Sequence, residues 1–153
     1  MSKNKTKRIL FVCTGNTCRS PMAEIILKTK LKLAGITEIK VKSAGISTAD
    51  GLPMSDNSKK ALKLLGYKPT GFKSKLLTAE ILKKTDLVIC MTQNHKRAFG
   101  NYPGVYTIAE LTGLGDVTDP YGQSLDVYID TSHQLEDACN IILEKIFNSK
   151  GDN

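Results

Sequence analysis

At 153 residues the chain has the length of one domain, large enough to bury a full core without disulfide or metal staples. Hydrophobic residues at 41% and charged residues at 24% are those of a soluble globular protein, which sets aside fibrous, disordered and membrane-embedded classes. The net charge of +7 suits an acidic or phosphorylated partner, but no base-stacking aromatics interleave the lysines, so it reads as solvated lysine and no nucleic-acid partner is expected.

Residues 1–7 read as a disordered basic tail, 8–148 as one domain and 149–153 as a second tail. Arg8 to Cys13 is a short apolar run with β-branched and aromatic residues, the pattern of a buried strand. Its apolar part, Ile9 to Cys13, is too short for a signal-peptide core or a membrane span, so a cytoplasmic location with reduced cysteines and no membrane partner is expected. Ser20-Pro21 opens a helix, with Ser as cap and Pro at the first helical position. Met22, Ile25, Ile26 and Leu33 give that helix an apolar stripe, and Gly35 ends it. Glu38 to Ser43 alternates as a strand, closed by Ala44-Gly45. A loop over 46–57 precedes a helix through Ala61, Leu62, Leu64 and Leu65 that stops at Gly66.

Thr78 to Lys84 is a short helix and Asp86 to Met91 a second buried strand. A helix over 93–99, a strand from Val105 to Ile108 and a last helix over 124–148 complete the chain. That last helix carries Leu135, Ala138, Cys139, Ile142, Leu143 and Ile146 at helical spacing. Strands alternating with helices predict a single three-layer α/β domain, a parallel sheet with helices on both faces.

The densest chemistry lies between the first strand and the first helix, in Val12-Cys-Thr-Gly-Asn-Thr-Cys-Arg-Ser20. A strand, a tight turn and a helix N-terminus aim backbone N–H groups and the positive end of the helix dipole at one point, which suits an anion. Gly15 and Asn16 are residue types that tolerate the positive φ of such a turn. Arg19 adds a planar fork matched to two phosphoryl oxygens. The same field favours the thiolate of Cys13, and Ser20 can donate a further hydrogen bond to it. An isolated cysteine would read as a core residue; the Gly, Asn, Arg and Ser at these spacings argue for a nucleophile. The four cysteines at 13, 18, 90 and 139 lack the paired spacing of a zinc site, so no metal is expected.

Residues 12–24, VCTGNTCRSPMAE, resemble the signature of the low-molecular-weight protein-tyrosine-phosphatase family, with its C-x5-R loop. Ser43-Ala44-Gly45 and Asp119-Pro120-Tyr121 are similar to two further motifs of that family, in the expected order. The resemblance implies a four-stranded parallel sheet, no cofactor, phosphorylated proteins as substrates and a two-step reaction. Cys13 would attack phosphorus while Arg19 and the loop Thr14, Gly15, Asn16, Thr17 and Cys18 hold its oxygens. Asp119 would protonate the leaving group and then take a proton from water; Asn16 and Ser43 would support the loop, and Ser20 the thiolate. By its own residues, Gly113 to Gly122 reads only as a mobile surface loop, in which an Asp before Pro is often a turn initiator. Asp116 and Asp126 compete for the acid's role and read as structural. A monomer is the expected state.

Two positions bear on the substrate. Tyrosine-specific relatives are expected to carry a branched apolar residue at 17 and two adjacent aromatics after the Asp-Pro; this chain has Thr17, then Tyr121 and Gly122. That is similar to the bacterial protein-arginine phosphatases, with phosphotyrosine as the alternative substrate. Cys18 reads either as a resolving thiol for oxidised Cys13 or as a small residue facing the core. A thioredoxin-coupled arsenate reductase shares such a loop but needs two further relay cysteines; Cys90 and Cys139 read as core residues instead. His95, beside Lys96 and Arg97, reads as part of a solvated helix face, and Tyr128 as a surface or packing aromatic.

Overall fold

The computed structural model describes residues 6–151. Most of the two expected tails, 1–5 and 152–153, lies outside the described residues.

Strand β1 (Lys7–Cys13) leads into helix α1 (Arg19–Leu33), followed by β2 (Ile39–Gly45), α2 (Asp56–Leu64), α3 (Ala79–Lys83) and β3 (Leu87–Cys90). Then come α4 (Gln93–Arg97), β4 (Val105–Thr107), α5 (Ile108–Thr112) and α6 (Leu125–Gly151). The strands form one parallel sheet in the order β2-β1-β3-β4. Burial on both faces explains why β1 is apolar at every position from Ile9. Ile9, Phe11 and Cys13 point into the larger core, shared with Met22, Ile26 and Leu27 of α1 and Leu135, Ala138 and Ile142 of α6. Leu10 and Val12 point the other way, to a smaller core with Val88, Cys90 and Val105, against which Ile81 and Leu82 of α3 and Phe99 pack. The three-layer α/β architecture is therefore as expected. Among the described residues no helix is long and apolar enough to cross a membrane.

Several boundaries differ from expectation, each for a local reason. Lys7 is already in β1, its N–H bonded to the Glu38 carbonyl at 2.8 Å. Helix α1 begins at Arg19, and Cys18, not Ser20, holds the cap position with no side-chain cap bond. The Ser20 hydroxyl is engaged elsewhere, and Pro21 falls within the first turn, where a missing N–H leaves no intrahelical bond unmade. Leu33 is 83% exposed, because the buried stripe follows Ala23, Leu27 and Leu31 and Leu33 lies about 200° round from Leu31. Strand β4 stops at Thr107, whose side chain accepts from the Glu110 N–H while the Glu110 carboxylate takes the Thr107 N–H, a capping box that starts α5 at Ile108. Helix α6 runs past 148 to Gly151, no Gly or Pro interrupting it before that point.

The outcome that matters for function is topological. The adjacent strands β1 and β3 run parallel, so the loops after Cys13 and after Cys90 leave the sheet side by side at its carboxyl edge. Open α/β sheets bind ligands at that edge, where successive crossovers go opposite ways.

Candidate active site

The loop between β1 and α1 wraps a pocket of about 240 Å3 lined by Cys13 through Arg19 together with Asp119 and Tyr121. Its shape follows from where its carbonyls go. Cys13 O and Thr14 O accept from the N–H groups of Ile46 and Ser47, and Thr17 O from that of Ser55, all at 3.0 Å. With the carbonyls turned to outside donors, the loop's N–H groups remain available to an anion. Asn16 carries the turn at φ 55°, the one non-glycine residue with positive φ among those described. Gly15 does not share that conformation, contrary to expectation: Asn16 alone makes the left-handed step, and a Cβ at Gly15 would meet only the Thr17 hydroxyl, at 3.8 Å.

The Asn16 side chain fixes this strained step, and its hydrogen bonds define the direction of every neighbour. Its Oδ1 accepts from the Lys75 N–H at 2.8 Å. Its two Nδ2 protons go to Ser20 Oγ at 2.8 Å and Ser43 Oγ at 2.9 Å. Ser43 then donates to the buried Glu24 carboxylate, which also takes Lys28 Nζ at 2.6 Å. Because Ser20 already accepts from Asn16, its own proton is free for Cys13 Sγ, 2.9 Å away and buried. Among the described residues no buried side-chain polar atom in the protein lacks a partner, so this network is closed.

Gly45 closes the loop from behind. It sits opposite Cys13 in the β1–β2 register, and a Cβ there would lie 2.7 Å from Thr14 O. Arg19 is buried, with Nη1 donating to Val117 O at 3.0 Å and Nη2 3.7 Å from Asp119 Oδ2. Asp119 itself is half exposed at the pocket's rim. Its Oδ1 accepts the Tyr121 N–H at 3.1 Å and its carbonyl accepts Gln123 Nε2, so the Asp-Pro-Tyr turn is held by its own polar groups. Val117 N–H bonds Met91 O, fixing the start of that turn to the end of β3. A nucleophile, an oxyanion cradle, a guanidinium and a rim carboxylate thus converge on one pocket.

The family description "Low molecular weight phosphotyrosine protein phosphatase" matches residues 8–151 of the chain. The chain belongs to this family. It is 41% identical over 138 residues to the protein-arginine-phosphatase of Bacillus subtilis strain 168, covering 84% of this chain and 89% of that protein. It is 36% identical over 133 residues to the low molecular weight protein-tyrosine-phosphatase PtpB of Staphylococcus haemolyticus, covering 84% and 91%. A solved cysteine-to-serine mutant of YwlE arginine phosphatase with a phosphorylated active-site serine superposes with a TM-score of 0.85 at 36% identity, covering 91% of this chain and 95% of that one. The chain is accordingly a cysteine-dependent phosphatase with the family's α/β fold.

All the residues singled out from the sequence of this phosphatase, from Cys13 to Ser20 with Ser43, Asp119 and Tyr121, are at the pocket or in the network behind it. Cys18 lines the pocket while also packing in the core, with Ser55 Oγ and Tyr128 OH each 3.5 Å from its sulfur. Tyr128 is therefore buried behind the loop, and burial together with the Cys18 contact pushes its hydroxyl up to about 12. Asp116 accepts the Gln93 N–H at the start of α4, and Asp126 lies in the first turn of α6. Burial pushes the Cys90 and Cys139 thiols up to about 12, which leaves them protonated and inert.

His95 corrects the sequence reading outright. It is buried, with Nε2 2.9 Å from Thr14 Oγ1 and Nδ1 3.1 Å from Thr92 Oγ1. Burial and the Arg19 guanidinium hold its ring down at about 4, so it is neutral at physiological pH. Thr92 three residues before His95 has the spacing of a helix cap, a signal that placed the ring's backbone but not its side chain. Glu24, Ser55 and Lys75 were also missed, since their roles depend on contacts across the fold.

Proposed function

We propose that this phosphatase hydrolyses phosphoarginine on proteins, with Cys13 as nucleophile, Arg19 and the loop amides as oxyanion ligands and Asp119 as general acid. In the first step the Cys13 thiolate forms a bond to phosphorus as the P–N bond breaks. Asp119 gives its proton to the departing guanidine nitrogen. The product guanidinium leaves beside a carboxylate of opposite charge. In the second step water attacks the cysteinyl-phosphate, Asp119 takes its proton, and the sulfur departs as a thiolate held by Ser20. Charge that builds on the equatorial oxygens in both steps faces N–H groups and Arg19, preorganised by the Asn16 and Ser43 network.

The observation that carries the substrate class is Thr17 in the pocket lining. A hydroxyl with a methyl suits a planar, hydrogen-bonding guanidine better than an aryl ring. Gly122 leaves Tyr121 as the one aromatic among the described lining residues. The likeness to the B. subtilis protein-arginine-phosphatase supports the same reading. A phosphotyrosine substrate is the second reading. Tyr121, 76% exposed, could flank a phenol, and the S. haemolyticus relative bears the tyrosine-phosphatase name.

Matched phosphoarginine and phosphotyrosine peptides, with Cys13→Ser as the blank, decide between them. The expected result is kcat/KM higher for phosphoarginine by about tenfold or more, at least the scale on which a small misfit in a pocket discriminates. A preference for phosphotyrosine would sink the proposed substrate and keep the chemistry.

A further inference from the structure

We propose that His95 is a positioning residue for phosphoryl transfer, acting through Thr14: its neutral imidazole directs the Thr14 hydroxyl proton at the bound phosphoryl group. The inference rests on the phosphatase reading of the pocket but not on which phosphorylated side chain enters it.

Three hydroxyl and ring groups form a chain from α4 to the pocket, and counting their protons gives its direction. Thr92 Oγ1 already accepts the His95 N–H as the cap of α4, at 3.4 Å. Its hydroxyl proton has one acceptor within reach among the described residues, His95 Nδ1 at 3.1 Å, and donating there is what satisfies it. An imidazole nitrogen that accepts a proton from a hydroxyl must be the unprotonated one, so in the neutral ring Nε2 carries the hydrogen. Nε2–H then donates to Thr14 Oγ1 at 2.9 Å. With one of its two lone pairs engaged from behind, and no protein acceptor for its proton among the described residues, Thr14 keeps that proton free for the pocket. Thr14 is exposed on the pocket's wall, in the same lining as Cys13 and Arg19. Each donor in the sequence Thr92, His95, Thr14 points the same way, and hydrogen bonds so aligned polarise one another.

The opposite tautomer would do the reverse. With the proton on Nδ1, Thr14 would donate to Nε2 and turn its lone pairs towards a phosphoryl group, which repels it. The choice of tautomer therefore decides whether this wall attracts or resists substrate. Topology gives the ring its place: α4 follows β3, the neighbour of β1, so a residue 81 positions along the chain reaches the first residue of the loop. A neutral donor also spares the site a second fixed cation competing with Arg19 for Asp119.

A double-mutant cycle on the full chain tests this, using whichever phosphopeptide is the better substrate, so that the substrate assignment can fail without affecting the outcome. Thr14→Val and His95→Phe should each lower kcat/KM by about tenfold, the scale of a hydrogen bond to a charged group. If His95 acts through Thr14, the double variant is no worse than Thr14→Val alone. Losses that multiply, or a His95→Phe enzyme with wild-type kcat/KM, would overturn the proposal. Should His95→Phe fail to fold, nitrogen-detected NMR of the wild-type imidazole reads the tautomer directly. A protonated Nε2 at neutral pH, retained with vanadate bound, supports the proposal, and a protonated Nδ1 refutes it.

Discussion

At the scale of single residues, the proposed function separates groups that drive the chemistry from groups that choose the substrate. Arg19 and the loop amides bind any phosphoryl group, because every substrate presents the same three oxygens. On the proposed function, Thr17 in the pocket lining is what meets the group beyond phosphorus. Thr17→Ile should therefore leave activity towards a small activated phosphate within a few fold while shifting the phosphopeptide ratio towards phosphotyrosine by about tenfold, the value of one or two well-placed contacts. An unchanged ratio would remove Thr17 from the specificity argument. Cys18 shares the loop with Cys13, and its sulfur's polar contacts among the described residues are hydroxyls, of Ser55, Tyr128 and more distantly Thr17. We expect peroxide to convert Cys13 to a sulfenic acid and Cys18 to displace water from it, forming a disulfide that a dithiol later reduces. Cys18→Ser should then recover markedly less activity than wild type after peroxide and reductant; equal recovery would leave Cys18 a packing residue.

At the scale of elements, the loop is a joint between β1, α1 and β2, and Gly45 shows how little slack it has. An added Cβ would meet Thr14 O at 2.7 Å and both Asn16 Cβ and Thr48 Cγ2 at 3.0 Å. The first of these is backbone and cannot swing aside. Gly45→Ala should cost about 1–3 kcal/mol of stability, as overpacking does, and lower kcat/KM more than that loss explains by moving the anion-binding amides. Urea unfolding and kinetics on one preparation separate the two effects; an enzyme with wild-type kinetics would show the joint to be compliant. The same elements explain what the sequence could reveal. Strands β1 and β3 were legible because burial on both faces leaves an unbroken apolar run, and the loop because its residue types have few other uses together. The start of α1 was misread because Ser20, a good cap by type, spans from Asn16 to Cys13 instead. Helix α5 was missed because five residues carry too little periodicity, although Thr107 and Glu110 bore its capping signal. His95 looked solvated beside Lys96 and Arg97, and nothing local marks a ring whose partner is 81 residues away.

At the scale of the whole molecule, catalysis and folding stability meet in that ring. The fold buries the ring of His95, on α4, against the loop at Thr14, with Arg19, Asp119 and Asp116 all acting on its charge. Burial and Arg19 disfavour the imidazolium, the two carboxylates favour it, and the balance holds the ring at about 4 against an ordinary 6.5. The sign of the linkage follows. Between those values the unfolded chain binds a proton that folded His95 refuses, so stability rises with pH there. The contribution is fully present above pH 6.5 and is lost as pH falls towards 4. At pH 5 the loss amounts to about 2 kcal/mol as an upper scale, or some 1.4 kcal/mol for each pH unit crossed. Other carboxylates also titrate in this range, so the diagnostic quantity is a difference between two proteins. His95→Gln keeps a polar side chain that cannot be protonated, and its unfolding free energy should fall less steeply than that of wild type between about pH 7 and pH 5. Wild-type stability relative to the variant should thus shrink by up to about 2 kcal/mol across that interval. Parallel curves would mean that the folded ring takes its proton as readily as the unfolded one. Burial beside Arg19 would then not be what keeps it neutral behind Thr14.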